Sequence, residues 1–155
     1  EICACLVGSE MCIRDSRLEY VMTVNGVPYY NDSKATNPDS TIKALEAFDG
    51  HIILLAGGHD KMTSLEPMMK LVQAKADVLI LLGEAKERFY EAAAAAGVGD
   101  IRKVETMDEA VELAYKLAAA PQVVLLSPAC SSYDMFENFP ARGRYFKNLV
   151  AALPK

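Results

Sequence analysis

A chain of 155 residues has the length of one domain, enough to bury a core. With 52% hydrophobic and 24% charged residues the balance is that of an ordinary globular chain, and no apolar run reaches the roughly 18 residues of a membrane helix. A net charge of −5 with no basic cluster argues against a partner recognised through a phosphate backbone.

Residues 1–16 carry neither helical nor alternating periodicity and lack the apolar centre of a signal peptide. They read as a non-native or disordered leader: either foreign sequence resembling a translated adapter, or the tail of a preceding domain. Cys3, Cys5 and Cys12 fall in this stretch and Cys130 lies far from them, so no disulfide framework is legible. Their spacing lacks the usual pairs of a zinc site, and neither His51 nor His59 completes a ligand set, so no metal centre is expected. A reducing, cytoplasmic setting is the default.

The fold is read from 17 to 155. Leu18 to Val24 and Val27 to Tyr30 are β-rich and flank Asn25-Gly26, a hairpin turn signal. The second strand leads into Asn31-Asp-Ser-Lys-Ala-Thr-Asn-Pro38. Asn37 suits a helix cap, Pro38 the first helical position, and the helix runs to Phe48 with Ile42 and Leu45 on its stripe. This loop carries an acid, a lysine and two hydroxyls. It reads either as a capped turn with solvated charges or as a ligand loop at the carboxyl end of a sheet.

His51 to Ala56 has the character of a buried strand and runs into Gly57-Gly-His-Asp-Lys61, where paired glycines permit a tight turn or close approach to a ligand. Ser64 is expected to cap the next helix, with Pro67 in its first turn. Val78 to Leu82 is a further buried strand. A helix from about Glu84 follows, running through the alanines 92–96 to Gly97, and then a short strand from Ile101 to Val104. Thr106 and Glu109 form a capping box for a helix with Val111, Ala114 and Leu117 inward. Val123 to Leu126 is the last strand. It enters Ser127-Pro-Ala-Cys-Ser-Ser132, and a final helix from Pro140 has Phe146, Leu149, Val150 and Leu153 as its stripe. Strands alternating with helices predict a mostly parallel sheet covered on both faces, with one antiparallel strand from the hairpin.

Every polar cluster follows a strand: Asp32, Lys34 and Thr36; Asp60 and Lys61; Ser127, Ser131 and Ser132. In a parallel sheet these ends share one edge, so the three loops are expected to converge. Two lysines with hydroxyls suit a small anionic substrate, although each lysine alone also reads as a solvated surface charge. No Ser-His-acid or Cys-His order is evident, which favours binding and positioning over nucleophilic catalysis. Neither G-x-x-x-x-G-K-[ST] nor G-x-G-x-x-G occurs, so a triphosphate would need other residues to hold it.

Three motifs in order, Asn31 to Asn37, Gly57 to Lys61, and Ser127 to Ser132 with Asn138-Phe139 and Arg142-Gly143, resemble the Mur ligase family, from Arg17 onward and over its C-terminal, amino-acid-binding domain only. That resemblance implies a Rossmann-like three-layer domain with a six-stranded sheet. It further implies part of an ATP-dependent ligase that adds D-glutamate to UDP-N-acetylmuramoyl-L-alanine in peptidoglycan precursor synthesis. By motif position, Thr36 and Lys61 would hold the α-carboxylate of D-glutamate. Ser132, with backbone donors around Tyr133 and Phe139, would hold the side-chain carboxylate. Lys34 would be catalytic, beside the transferring phosphate, and Arg17 and Asp32 would contact the nucleoside of ATP. Ser127, Cys130 and Ser131 are expected to shape the turn. The family usually has histidine before the arginine of Arg17-Leu-Glu-Tyr20, where this chain has Ser16. The N-terminal UDP-binding domain and the central domain, which holds the phosphate loop and Mg2+ ligands, are the implied partners, and without them the chain is expected to be inactive. The alternatives are a stand-alone dicarboxylate- or nucleotide-binding module and a sister ligase of the same family.

Overall fold

The computed structural model describes residues 18–59, 62, 64–132 and 136–154. The expectations for residues 1–16, Arg17, Asp60, Lys61 and Tyr133 concern positions outside the described residues.

The hairpin forms as its turn signal predicts. Strand β1 (Glu19–Val24) and strand β2 (Val27–Asn31) pair antiparallel with Val24 opposite Val27. Asn25 and Gly26, at φ of 53° and 82°, supply the two left-handed positions of a type I′ turn. Helix α1 (Pro38–Glu46) starts where Asn37 accepts the Ser40 N–H at 3.0 Å, and strand β3 (Ile52–Ala56) follows. Helix α2 (Glu66–Lys75) then passes without a connection into strand β4 (Ala76–Leu81). Its cap position is Leu65, with no side-chain cap bond, so the expected Ser64 cap is not made.

Helix α3 (Lys86–Ala96) ends at Gly97 and strand β5 (Ile101–Lys103) follows. Helix α4 (Met107–Leu117) is capped by Thr106, which accepts the Glu109 N–H at 3.1 Å. The Glu109 carboxylate reaches back to the Glu105 N–H at 2.8 Å, one residue beyond the donor that a capping box uses. Strand β6 (Val123–Leu126) and helix α5 (Phe139–Ala151), capped by Asn138 onto the Ala141 N–H at 2.8 Å, complete the chain.

The six strands lie in the order β1-β2-β6-β3-β4-β5, with every pair but β1·β2 parallel. Side chains alternate between two cores, as the pleat requires. Ile52, Leu54, Leu79, Leu81 and Leu125 face α1, α2 and α3 through Leu45, Met68, Val72 and Phe89. Ile53, Leu55, Ile80, Val124 and Leu126 face α4 and α5 through Val111, Ala114, Phe146 and Val150. The result is a three-layer α/β/α sandwich. Tyr29 lies in the second core, and burial, helped by the nearby Tyr115, pushes its hydroxyl up to about 12. No helix among the described residues is long and apolar enough to cross a membrane.

Candidate functional site

The strand order decides where loops can meet. Strand β6 lies between β2 and β3, yet its following loop leads to α5 on one face, while the loops after β2 and β3 lead to α1 and α2 on the other. Diverging loops open crevices on both flanks of the β6 carboxyl end, where open α/β sheets hold ligands. Backbone bonds lace the three loops along this rim. The Asp32 N–H donates to Leu126 O at 2.7 Å, and the Ala129 N–H to Ala35 O at 2.9 Å. The Gly57 N–H donates to Pro128 O and the His59 N–H to Ser131 O, both at 2.9 Å.

Asp32 sits at the base of the β2/β6 crevice, 3% exposed. Its Oδ1 accepts the Leu18 N–H at 3.0 Å and its Oδ2 accepts the Ser127 hydroxyl at 2.9 Å. Because a carboxylate only accepts, the Ser127 proton points at Asp32, and the Thr41 hydroxyl, 3.1 Å from Ser127 Oγ, donates instead to Ser127 Oγ or to Ser127 O. Ser127 is thus a structural tie between loop and helix, in line with the turn role expected for it. Buried Ser131, by contrast, has a hydroxyl without a hydrogen-bond partner among the described residues.

Lys34, two residues beyond Asp32, is half-buried and lines an open cleft of about 280 Å³. Leu18, Asp32, Ser40 and Lys43 also line it. The cleft therefore carries two lysines and one carboxylate, a surface suited to an anionic group. Lys43 and Ser40 carry no signal in the sequence, since on a helix of mixed polarity they look like any solvated face.

Gly57 and Gly58 do make a close approach, and the partner is the protein's own backbone. A Cβ on Gly57 would lie 1.9 Å from Leu82 O, and one on Gly58 would lie 2.6 Å from Ser131 O. The pair lets the loop after β3 nest between those after β4 and β6. Thr36 is half-buried in the first loop, and Ser132 is buried one residue beyond the bridge to His59. Phe139 opens α5, half-buried, and its carbonyl accepts the Ser33 hydroxyl at 2.7 Å. The loops bearing Asp32, Lys34, Thr36 and Ser132 are thereby brought to one rim together with Phe139.

Arg142 acquires its importance only in the fold. It is 3% exposed in the first turns of α5 and donates from Nε to Ser33 Oγ at 2.9 Å and from Nη2 to Ser33 O at 2.7 Å. The available signal was its register: Arg142 lies four residues before Phe146, on the buried stripe, where an unassisted charge is costly.

Comparison with known proteins gives a consistent picture. The family described as "Mur ligase, glutamate ligase domain" matches residues 16–130. A UDP-N-acetylmuramoylalanine–D-glutamate ligase of Geotalea uraniireducens is 48% identical over 137 residues, covering 88% of this chain and 30% of that protein. The chain thus spans about 30% of the length of the curated relatives it matches. Among solved structures, a murein peptide ligase of Psychrobacter arcticus superposes with a TM-score of 0.62 over 91% of this chain and 31% of its own, at 11% identity. A Mycobacterium tuberculosis folylpolyglutamate synthase, complexed with ADP and AMPPCP, superposes with a TM-score of 0.60 over 84% of this chain and 32% of its own, at 17% identity. At such identities the likeness is one of fold.

Proposed function

This chain belongs to the Mur ligase family, and from that membership we propose that it is the amino-acid-binding domain of an ATP-dependent ligase joining D-glutamate to UDP-N-acetylmuramoyl-L-alanine. The observation that carries the reading is the meeting of the loops after β2, β3 and β6 on one rim, bearing the motifs by which the chain resembles the family. The division at residue 17, with 1–16 outside the domain, is part of the same proposal, as is a cytoplasmic setting.

In this reading Thr36 and Lys61 hold the α-carboxylate of D-glutamate. Ser132 and backbone donors around Tyr133 and Phe139 hold its side-chain carboxylate. Two fixed anchors leave the amine as the free end of the molecule, aimed at the acyl group it must attack, which is catalysis by positioning. Lys34 offsets negative charge where the phosphoryl group moves, and its place in a cleft with Lys43 fits that task. Arg17 and Asp32 face the nucleoside. When bound, ATP supplies the phosphoryl group that activates the terminal carboxylate of the UDP-sugar substrate. Among the described residues no cluster of three or more His, Cys, Asp or Glu is placed to hold a metal. By the family resemblance, the Mg2+ and most of the triphosphate fall to the central domain.

The test is calorimetric titration of the chain with D-glutamate and L-glutamate, followed by a ligase assay with the remaining domains of a relative supplied in trans. D-glutamate is expected to bind weakly and selectively, Thr36→Ala to weaken it, and amide-bond formation to arise only on complementation. Binding without restored activity would favour a module without chemistry, and preference for another amino acid a sister ligase. Amide-bond formation by the chain alone would overturn the division of labour.

A further inference from the structure

We infer that Arg142 is a positioning residue, a clasp that holds the loop after β2 against the loop after β3 and the start of α5, and so sets Lys34 and Thr36 relative to Ser132. The ligand part of this rests on the proposed function; the mechanical part does not.

The guanidinium grips one residue by two different atoms. Nε donates to the Ser33 hydroxyl at 2.9 Å and Nη2 to the Ser33 carbonyl at 2.7 Å. The same hydroxyl donates onward to Phe139 O at 2.7 Å, closing a circuit between the β2 loop and the helix that carries Arg142. Ser33 is fully buried and its N–H is held by Asn31 Oδ1 at 3.1 Å, so this residue between Asp32 and Lys34 is fixed on both sides. The third loop adjoins the same group: a Cβ on Gly58 would stand 3.4 Å from Arg142 Nη1 and 2.6 Å from Ser131 O. Residues 33, 58, 131 and 142 thus meet at one buried point beneath the rim.

The chemistry selects arginine. A planar fork holds a hydroxyl and a carbonyl at a fixed spacing, whereas an ammonium on a flexible stem fixes no spacing between its partners. The location is otherwise poor for a cation, since early helical positions face the positive end of the helix dipole and burial removes water. A merely structural plug at this point needs no charge.

Two mild variants of the full 155-residue chain, Ser33→Ala and Arg142→Lys, test the clasp by hydrogen exchange and by D-glutamate titration followed by NMR. Exchange at the Asp32 and Ala129 amides, which bridge the loops, and at the Ala35 amide, which closes the β2 loop onto Asp32 O, is expected to quicken about tenfold or more, while the amides of β3 and β4 hold. Unchanged exchange at those three amides, or equal quickening throughout the sheet, would overturn the inference. If the wild-type chain binds D-glutamate, both variants are expected to weaken it about tenfold with little change in melting temperature. Unaltered affinity beside quickened loop exchange would overturn the positioning role. If the wild-type chain does not bind, the proposed function fails, and the exchange result still decides whether Arg142 holds the loops.

Discussion

Gly57 shows how one residue can be fixed by what surrounds it. Its φ of 117° lies outside the range side chains favour, and any Cβ would meet the Leu82 carbonyl at 1.9 Å. The obstruction is backbone at the end of a buried strand, so no side chain can swing away to make room. Gly57→Ala is expected to destabilise the chain by about 3 kcal/mol or more, read as a lower denaturant midpoint at an unchanged slope. The paired glycines were legible as a tight turn or a close approach. Which of the two, and to what, required the neighbouring loop. Asp32 carries a similar lesson. In the sequence it is one acid in a polar loop, whereas in the fold both of its oxygens are engaged across the crevice.

At the scale of elements, periodicity and capping chemistry located every strand and helix described, because both are set by neighbours a few residues away. Departures fall where a boundary depends on something else. Helix α2 begins at Glu66 with Leu65 buried in the first core, so tertiary packing displaced the cap that Ser64 offered. Its C-terminus runs directly into β4 at Ala76, two residues before the apolar stretch begins, because pairing with β3 extends the strand backward to Ile52. Helix α5 matters most for the site, since its start carries Phe139 and Arg142. The Asn138 side chain accepts the Ala141 N–H there, and Asn138→Ala is expected to cost about 1 kcal/mol in chemical denaturation. Replacement by aspartate is expected to keep most of that loss from appearing.

The whole molecule is a sheet between two separate cores, and its stability should divide accordingly. Val72 on α2 and Val111 on α4 are both buried, in different clusters on opposite faces. Each Val→Ala replacement is expected to cost on the order of 2 kcal/mol. The double variant should then lose the sum of the two to within about 0.5 kcal/mol in urea unfolding, as independent sites do. A markedly smaller loss would mean that the sheet transmits repacking from one face to the other.

Local chemistry by itself determined the hairpin, the alternation of strands and helices and the three polar loops, because hydrophobic period, turn residues and caps act over a few positions. The motifs within those loops pointed to the family. Only the tertiary structure decided that β6 lies between β2 and β3, the placement that brings Asp32 beside Ser127 and Gly58 beside Ser131. It alone turned Arg142 from a charge on an apolar stripe into a buried donor pair that ties the loop after β2 to α5. Strand order is a long-range choice, made by which buried surfaces fit together, and no stretch of chain short enough to read locally contains it.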